Sequence, residues 1–219
     1  MSGLHDIKSY SGRLQDEARA ERYARRFESG SRRRIDKREQ GAVRRIFSRL
    51  PACQSVLDVP SGAGRFLGTL GQGGRRVIEM DVAFEILEFA RDKALKLKTS
   101  AGVMQGDASR LPLADGAVDC VFSNRLLHHI LASKERIAIL REFHRVSRRW
   151  TVVSFFNYKG LARIRGFLKR LKGRTPPYAN QPTMKEFGHE VAAAGFRVHE
   201  VVATGMPWVS QKYFVLEKE

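Results

Sequence analysis

The sequence has few cysteines and no long apolar run, and these two shortages exclude several classes of protein. Its 219 residues include only two cysteines, Cys53 and Cys120, and neither belongs to a Cys-x-x-Cys pair. A disulfide scaffold and a structural zinc site are therefore excluded, and we expect no metal. No stretch approaches the roughly 20 apolar residues of a membrane span, and the N-terminus turns charged at once, unlike a secretory signal. These features predict a cytoplasmic protein.

Acidic residues are also scarce relative to basic ones. The chain has 23 acidic and 40 basic residues, a formal net charge of +17. Two segments, residues 1–50 and residues 159–174, each contribute +7 of that excess. Such clustering favours an anionic partner, which would be a phosphate-bearing substrate, a nucleic acid or a membrane surface. The alternative is a solvated cationic surface that only favours solubility.

Short apolar runs alternate with helical patterns along the middle of the chain. The predicted strands lie at about 55–59, 76–80, 103–104, 118–123 and 151–155, with two more near 196–203 and 213–217. Helices are predicted over 83–97, 134–146 and 183–194, and over 14–50 with a break near 29–31. This alternation is typical of βαβ units, so we expect an α/β, doubly wound, mostly parallel sheet with an antiparallel edge. Residues 1–50 form a helical extension or lid, and residues 51–219 form the main domain.

Four predicted strands end in residues suited to ligand binding. Asp58 opens a glycine-bearing loop that includes Gly62 and Gly64, Asp81 and Asp107 end the next two strands, and Asn124 follows the fourth. In a doubly wound sheet, ligands bind at these strand ends, and glycine lets the backbone turn sharply beside the ligand. A carboxylate at Asp81 suits two ribose hydroxyls, and Asp107 suits an adenine amino group. Each aspartate alone fits a helix cap or a loop, whereas three in succession favour a nucleoside site.

These motifs together resemble those of class I S-adenosylmethionine-dependent methyltransferases, the subgroup similar to the ubiquinone and menaquinone enzymes. Residues 56–67 resemble the first motif of that family, 79–87 the second, and 106–129 the third and fourth. The resemblance implies a Rossmann-like seven-stranded sheet with an antiparallel last strand, and S-adenosyl-L-methionine as cofactor. Pro60 departs from the pattern, because the family usually has glycine there and proline removes an N–H.

The resemblance also implies a role for each cofactor residue. The loop from Pro60 through Ser61 and Gly62 to Gly64 wraps the methionine moiety, and Asp58 lies near its amino group. Asp81, followed by Val82, holds the ribose. Asp107 and the Ala108 backbone hold the adenine. Asn124, at the end of the fourth strand, is a further candidate for cofactor binding.

The acceptor side of such an enzyme begins after the fourth strand, where two histidines follow in the sequence. His128 and His129 are the candidates for a general base, which is needed only if the acceptor must lose a proton. The alternative is that one of them packs structurally. No Asn-Pro-Pro-Tyr type of motif follows the strand, which argues against adenine N6 chemistry, and no DNA partner is expected.

The basic segment 159–174 has an apolar stripe flanked by cations, among them Arg163, Arg165 and Lys169. This pattern is typical of an interfacial helix on an anionic membrane, and equally of a substrate lid or of a surface helix packed on the core. Tyr23 in the N-terminal extension is a further candidate for the lid.

Three functions fit the sequence. The first is methyl transfer to a small or lipid-linked, anionic acceptor, with the protein cytoplasmic or peripheral to the inner membrane. The second is an RNA methyltransferase whose basic segments hold phosphates. The third is a non-catalytic protein that binds S-adenosylmethionine as a sensor.

Overall fold

The computed structural model describes residues 21–22, 25–27, 30–156, 182–205 and 211–219. Within these ranges the strands are β1 (Ser55–Asp58), β2 (Arg76–Asp81), β3 (Ala101–Gln105), β4 (Val118–Ser123), β5 (Ser147–Phe156), β6 (Phe196–Ala203) and β7 (Gln211–Lys218). The helices are α1 (Gly30–Phe47), α2 (Leu67–Leu70), α3 (Phe84–Leu97), α4 (Ser133–Val146) and α5 (Met184–Ala193). Short 3-10 turns cover Arg25–Phe27, Gln72–Gly74 and Leu127–His129.

The seven strands form one sheet in the order β3-β2-β1-β4-β5-β7-β6. The pairs from β3 across to β5 are parallel, whereas β7 runs antiparallel to both β5 and β6. This arrangement confirms the predicted doubly wound sheet with an antiparallel last strand. The strand order reverses between β1 and β4, so the switch point, where such folds bind ligands, lies beside β1.

Alternating side chains give the sheet two buried faces. Val56 faces a core that includes Val43 and Phe47 of α1, whereas Leu57 faces a core with Phe143 of α4 and Phe187 of α5. Neighbouring strand residues point to opposite faces, so the apolar runs of β1, β4 and β5 fill both cores. Helices therefore cover both faces, and the strand ends remain for a ligand.

One strand is longer than its apolar run predicts. β5 begins at Ser147, four residues before the predicted start, immediately after α4 ends at Val146. Its first exposed residues are Arg148 and Arg149, whose side chains donate hydrogen bonds to Asp119 and Glu217, respectively. Since backbone pairing does not depend on side-chain polarity, two exposed arginines hide this part of the strand from a hydrophobicity pattern.

Several predictions concern residues outside the described ranges. Tyr23 and the whole basic segment 159–174, with Arg163, Arg165 and Lys169, lie there. Among the described helices, none combines the length and the apolar character needed to cross a membrane.

Candidate functional site

The carboxyl ends of the strands bring the predicted cofactor residues together at the switch point. Asp58 ends β1 opposite Glu79 of β2, and Asp81 ends β2 opposite Gln105 of β3. The loop with Gly62 and Gly64 follows β1. Asp107 follows β3 by two residues and Asn124 follows β4 directly, so all four predicted strand ends meet along one edge of the sheet.

The glycine loop is held by backbone hydrogen bonds on both sides. Gly62 and Gly64 have φ of +55° and +65°, a conformation that favours glycine. A Cβ at Gly64 would lie 3.2 Å from the Ala90 Cα, so α3 leaves no room for a side chain there. The Ser61 N–H donates to the Met80 carbonyl at 2.8 Å, which anchors the loop to β2 although Pro60 has no N–H to offer.

Asp81 fixes the loop and keeps acceptor capacity for a ligand. Its Oδ2 accepts from the Gly62 N–H at 2.9 Å and its Oδ1 from the Ala83 N–H at 3.1 Å. Burial raises the pKa of Asp81, and these backbone donors, together with Val82, lower it. Each carboxylate oxygen has more than one acceptor site, so two neighbouring hydroxyls can still bond here. The Val82 carbonyl accepts from the Gln105 amide at 2.9 Å, which fixes the adjoining backbone.

Asp107 holds its own loop in an Asx turn. Its Oδ1 accepts from the Ser109 N–H and hydroxyl, both at 2.8 Å. The loop role considered from the sequence is therefore real, and Oδ2 remains for a ligand because it accepts no bond from the described residues. Gly106 brings this loop close to β2, since a Cβ there would lie 2.7 Å from the Met80 sulfur, and Ala108 packs into the core beside it.

Asp58 and Glu79 form a buried acid pair below the loop, and the role of Glu79 is missed by the sequence reasoning. Their four carboxyl oxygens have no hydrogen-bond partner among the described residues. Burial, then Glu79 and Asp81, raises the pKa of Asp58 well above its ordinary range. Burial also raises the pKa of Glu79 to about 8, against the opposing effects of Lys93 and Ser61. A charged residue inside the apolar run of 77–80 was the available signal.

A second group missed by sequence reasoning joins the N-terminal helix to the loop. Glu39 of α1 is buried, forms an ion pair with Arg65 at 2.6 Å and accepts a hydrogen bond from Arg125 at 2.5 Å. The guanidinium of Arg65 also lies 3.7 Å from the centroid of the Phe27 ring, within cation–π range. Arg125 has φ +62°, which turns the chain back over the sheet after β4. The described part of the extension therefore contacts the glycine loop through Arg65 and the segment after β4 through Arg125.

The two histidines after β4 lie beside Phe156 with their rings tilted relative to one another. Ring centroids lie 3.9 Å apart between His128 and His129, and 4.6 Å apart between His128 and Phe156. Burial, then the neighbouring His129 and Arg125, lowers the pKa of His128 to about 3. His128 is thus neutral at physiological pH and a poor proton acceptor, whereas His129 is exposed to solvent.

Asn124 is fixed by the antiparallel strand rather than by the loops. Its side-chain oxygen accepts from the Tyr213 hydroxyl at 3.0 Å and from the Gln211 amide at 3.1 Å, both on β7. Its amide nitrogen is then the group that can donate to a ligand at the mouth of the site.

The residues present fit a nucleoside that carries an ammonium group. Asp58 supplies a buried carboxyl without a partner, which suits a cation, and Asp81 supplies acceptors for hydroxyls. The positive φ of Gly62 and Gly64 lets the backbone turn sharply at this edge. Among the described residues no cluster of His, Cys, Asp and Glu could hold a metal ion.

Comparison with known proteins finds similarity to methyltransferases. Residues 57–153 match the family model described as a methyltransferase domain. A malonyl-[acyl-carrier protein] O-methyltransferase from Hamiltonella defensa is 35% identical over 100 residues, 46% of this chain and 36% of that protein. Another, from Laribacter hongkongensis, is 31% identical over 153 residues, 64% of this chain and 50% of that protein. The chain thus spans between about a third and a half of these relatives' length.

Solved structures share the fold over almost the whole chain. Magnesium protoporphyrin IX methyltransferase from Synechocystis with bound SAH has a TM-score of 0.75 at 18% identity, covering 98% of this chain and all of that one. A SAM-dependent methyltransferase from Aquifex aeolicus has a TM-score of 0.67 at 21% identity, covering 93% of this chain and 99% of that one. The sequence-based expectation of the fold is confirmed, and the matched methyltransferase domain supports the expected cofactor.

Proposed function

We propose, for a chain that carries a class I S-adenosylmethionine-dependent methyltransferase domain, that it transfers the methyl group to a small or lipid-linked, anionic acceptor. The observation that carries the proposal is the buried, unpartnered Asp58 carboxyl beside the glycine turn at the switch point. A buried charge without a partner is costly, so its position beside a ligand cradle favours a cationic ligand.

Each group of cofactor residues contacts a different part of the ligand. Asp58 binds the amino group, the loop from Pro60 to Gly64 lies along the methionine moiety, and Asp81 with Val82 binds the ribose. Asp107, the Ala108 backbone and Asn124 bind the adenine end and the mouth of the site. When bound, the cofactor supplies a methyl group made electrophilic by its sulfonium centre.

We infer further that the acceptor atom is a carboxylate oxygen. A carboxylate is already deprotonated at neutral pH, so its methylation needs no general base. This suits a site in which the half-buried His128 has a pKa of about 3. It also agrees with the relatives, which are named as O-methyltransferases of a malonyl group. The protein's part is then to align the acceptor with the methyl carbon and to exclude water, which contributes ~7–11 kcal/mol in favourable cases.

The excess positive charge supports an anionic acceptor. The formal net charge is +17, and the segments 1–50 and 159–174 carry most of it. Positive surfaces raise the local concentration of an anionic substrate. We assign Tyr23 in the extension and Arg163, Arg165 and Lys169 in the basic segment to acceptor binding, with 159–174 also contacting anionic lipid if the acceptor is lipid-linked.

Methyl-labelled S-adenosylmethionine tests this function directly. The purified protein is incubated with the label and with fractionated lysate of cells that lack it. We expect label in the small-molecule or lipid fraction, released as volatile methanol by mild alkali, since methyl esters hydrolyse whereas methylated amines do not. Alkali-stable label would overturn the carboxylate acceptor. Label in RNA would overturn the small or lipid-linked acceptor, and no label despite cofactor binding would favour a sensor.

Flotation with liposomes tests the membrane contact separately. The protein is mixed with vesicles of neutral lipid alone and with vesicles that contain anionic lipid. We expect flotation only with the anionic vesicles, and less of it when Arg163, Arg165 and Lys169 are changed to glutamine. Equal recovery with both vesicle types would contradict a peripheral membrane contact.

A further inference from the structure

Asp58 and Glu79 are side-by-side acids inside the protein. They are opposite each other in the parallel register of β1 and β2, so their side chains leave the same face of the sheet. Their exposed fractions are 1% and 0%. Glu79 reaches up toward the loop, because its Oε2 lies 3.4 Å from where a Cβ on Gly64 would stand.

The surrounding charges do not neutralise this pair. Asp81 on β2 adds a third carboxyl, and the nearby cations are Arg65 in the loop and Lys93 on α3. Arg65 is already bonded to Asp36 and Glu39 of α1, each at 2.6 Å. The Lys93 ammonium lies 3.4 Å from the Arg65 carbonyl, and its charge is shared among Glu79, Asp36 and Asp58. The Ser61 hydroxyl lies 3.5 Å from the Gly62 carbonyl and lowers the pKa of Glu79, but it carries no charge that could neutralise the pair.

Two buried carboxylates cannot both be charged at low cost when neither has a partner. Like charges this close raise each other's affinity for a proton, and burial acts in the same direction. The pKa of Glu79, about 8, and that of Asp58, well above its ordinary range, agree with this reasoning. At neutral pH the ligand-free pair therefore keeps at least one proton, and the two acids titrate as a unit.

We propose that Asp58 and Glu79 share a proton until a cation lies above them, and that Glu79 thereby makes the pocket selective for the positively charged methyl donor over its neutral thioether product. This proposal rests on the proposed cofactor site. Donor and product carry the same amino group, which meets Asp58 in both cases. The sulfonium of the donor adds one further positive charge. Glu79 responds to that charge by releasing its proton to water.

Such a device assists turnover. Methyl transfer removes the positive charge from the sulfur, after which the pair takes its proton back and the product is held less tightly. At an effective dielectric near 20, two unit charges separated by ~10 Å interact strongly enough to change an affinity about tenfold. Glu79 is thus a positioning and selectivity residue, not a catalytic one.

Calorimetry of the full chain tests the proposal. S-adenosylmethionine and S-adenosylhomocysteine are titrated at pH 7 in two buffers of different ionisation enthalpy, which gives the number of protons released by each. We expect the donor to release more protons than the product. The ligand's own amino group also titrates, and the sulfonium lowers its pKa in the donor. Its contribution is therefore measured by titrating each free ligand and is subtracted.

Glu79→Gln is the informative variant, because it removes the charge and keeps the shape. We expect it to abolish the difference in protons released and to lower the affinity ratio of donor to product about tenfold. Glu88→Gln is the matched control, since Glu88 is exposed on α3 and pairs with Arg91. It should leave both quantities unchanged.

The outcomes separate this proposal from the proposed function. Equal proton release for both ligands in the unaltered protein would overturn the role of Glu79, and this measurement needs no variant to fold. An unchanged affinity ratio in a folded Glu79→Gln protein would do the same. If neither ligand binds the unaltered protein, the proposed cofactor site itself fails, and the role of Glu79 fails with it.

Discussion

Two buried charge clusters in this protein are built in opposite ways. Between α4 and α5, Arg136 and Glu190 are almost fully buried and joined by two hydrogen bonds of 2.8 and 2.5 Å. Arg136 also donates to the carbonyls of Ile130 and Leu131. Below the glycine loop, Asp58 and Glu79 are equally buried and have no hydrogen-bond partner in the described chain.

The hydrogen bonds of the two clusters distinguish a structural buried charge from a ligand-binding one. A buried ion pair is tolerated when good geometry and further hydrogen bonds satisfy both partners, as for Arg136. A buried acid without a hydrogen-bond partner is unfavourable in the ligand-free fold. Two such acids at the switch point therefore indicate a ligand that supplies the missing partner. Burial alone does not distinguish the clusters, whereas the state of their hydrogen bonds does.

Breaking the satisfied cluster should have the largest effect on stability. Glu190→Gln leaves the Arg136 guanidinium buried without its counter-charge, and we expect the free energy of unfolding to fall by about 3 kcal/mol. Denaturant unfolding measures this change. A loss below about 1 kcal/mol would mean that the pair contributes little beyond packing.

Changing the unsatisfied cluster should instead affect binding and spare stability. Asp58→Asn removes the acid that we assign to the amino group of the cofactor, and a hydrogen bond to a charged group contributes about 1.5–3 kcal/mol. We expect S-adenosylmethionine affinity to fall between about tenfold and a hundredfold by calorimetry. The free energy of unfolding of the ligand-free protein should stay the same or rise, because one of two repelling acids is gone. A destabilised protein with normal affinity would reverse the assignment.

The acid pair also predicts how stability depends on pH. Glu79 has an ordinary pKa of 4.5 and a pKa of about 8 in the folded protein, so between these values only the folded state holds the proton. Stability therefore falls as pH rises through this window. His128 acts oppositely up to its ordinary value of 6.5, since its folded pKa is about 3. Between pH 6.5 and 8 we expect a net loss of about 1–2 kcal/mol in the free energy of unfolding.

Thermal melts at pH 6.5 and pH 8 test this pH dependence in the unaltered protein and in Glu79→Gln. The unaltered protein should melt lower at pH 8 than at pH 6.5, and Glu79→Gln should show a flatter profile. If both proteins show the same slope, another group is responsible for the pH dependence.

An exposed ion pair should give the smallest effect. Arg91 and Glu88 on α3 are bonded to each other and exposed to solvent. Arg91→Ala should change the free energy of unfolding by at most about 0.5 kcal/mol, since solvent screens such pairs. Denaturant unfolding of Arg91→Ala and Glu190→Gln compares the two pairs. A loss of unfolding free energy in Arg91→Ala as large as in Glu190→Gln would contradict this prediction.

The sequence predicts the backbone of this fold well because its signals are local. Apolar runs place β4 at 118–123 and β6 at 196–203, as the structure has them, and the break near residue 30 marks the start of α1. The strand-end aspartates and the glycine turn follow from the same local patterns. These features depend on neighbours within a few positions along the chain.

What the sequence does not reveal depends on partners distant along the chain. Glu39 and Arg125 are 86 positions apart, and only the packing of α1 over the sheet brings them together. By residue type alone, Glu79 cannot be distinguished from an exposed glutamate. It is buried because Gly64, Ala90 and strand β1, which ends at Asp58, surround it in the fold. Whether a buried acid finds a donor is likewise a property of three-dimensional packing.

Equilibrium binding of S-adenosylmethionine to Asp81→Ala tests whether the cofactor binds at the carboxyl ends of the strands. Asp115→Ala is the matched control, since that carboxylate is largely exposed and pairs with Arg145 on α4 rather than with the loops at the strand ends. Circular dichroism and the melting temperature verify that both variants fold. The account predicts no measurable binding by Asp81→Ala and unaltered binding by Asp115→Ala; an unchanged affinity in folded Asp81→Ala would show that the cofactor site lies elsewhere.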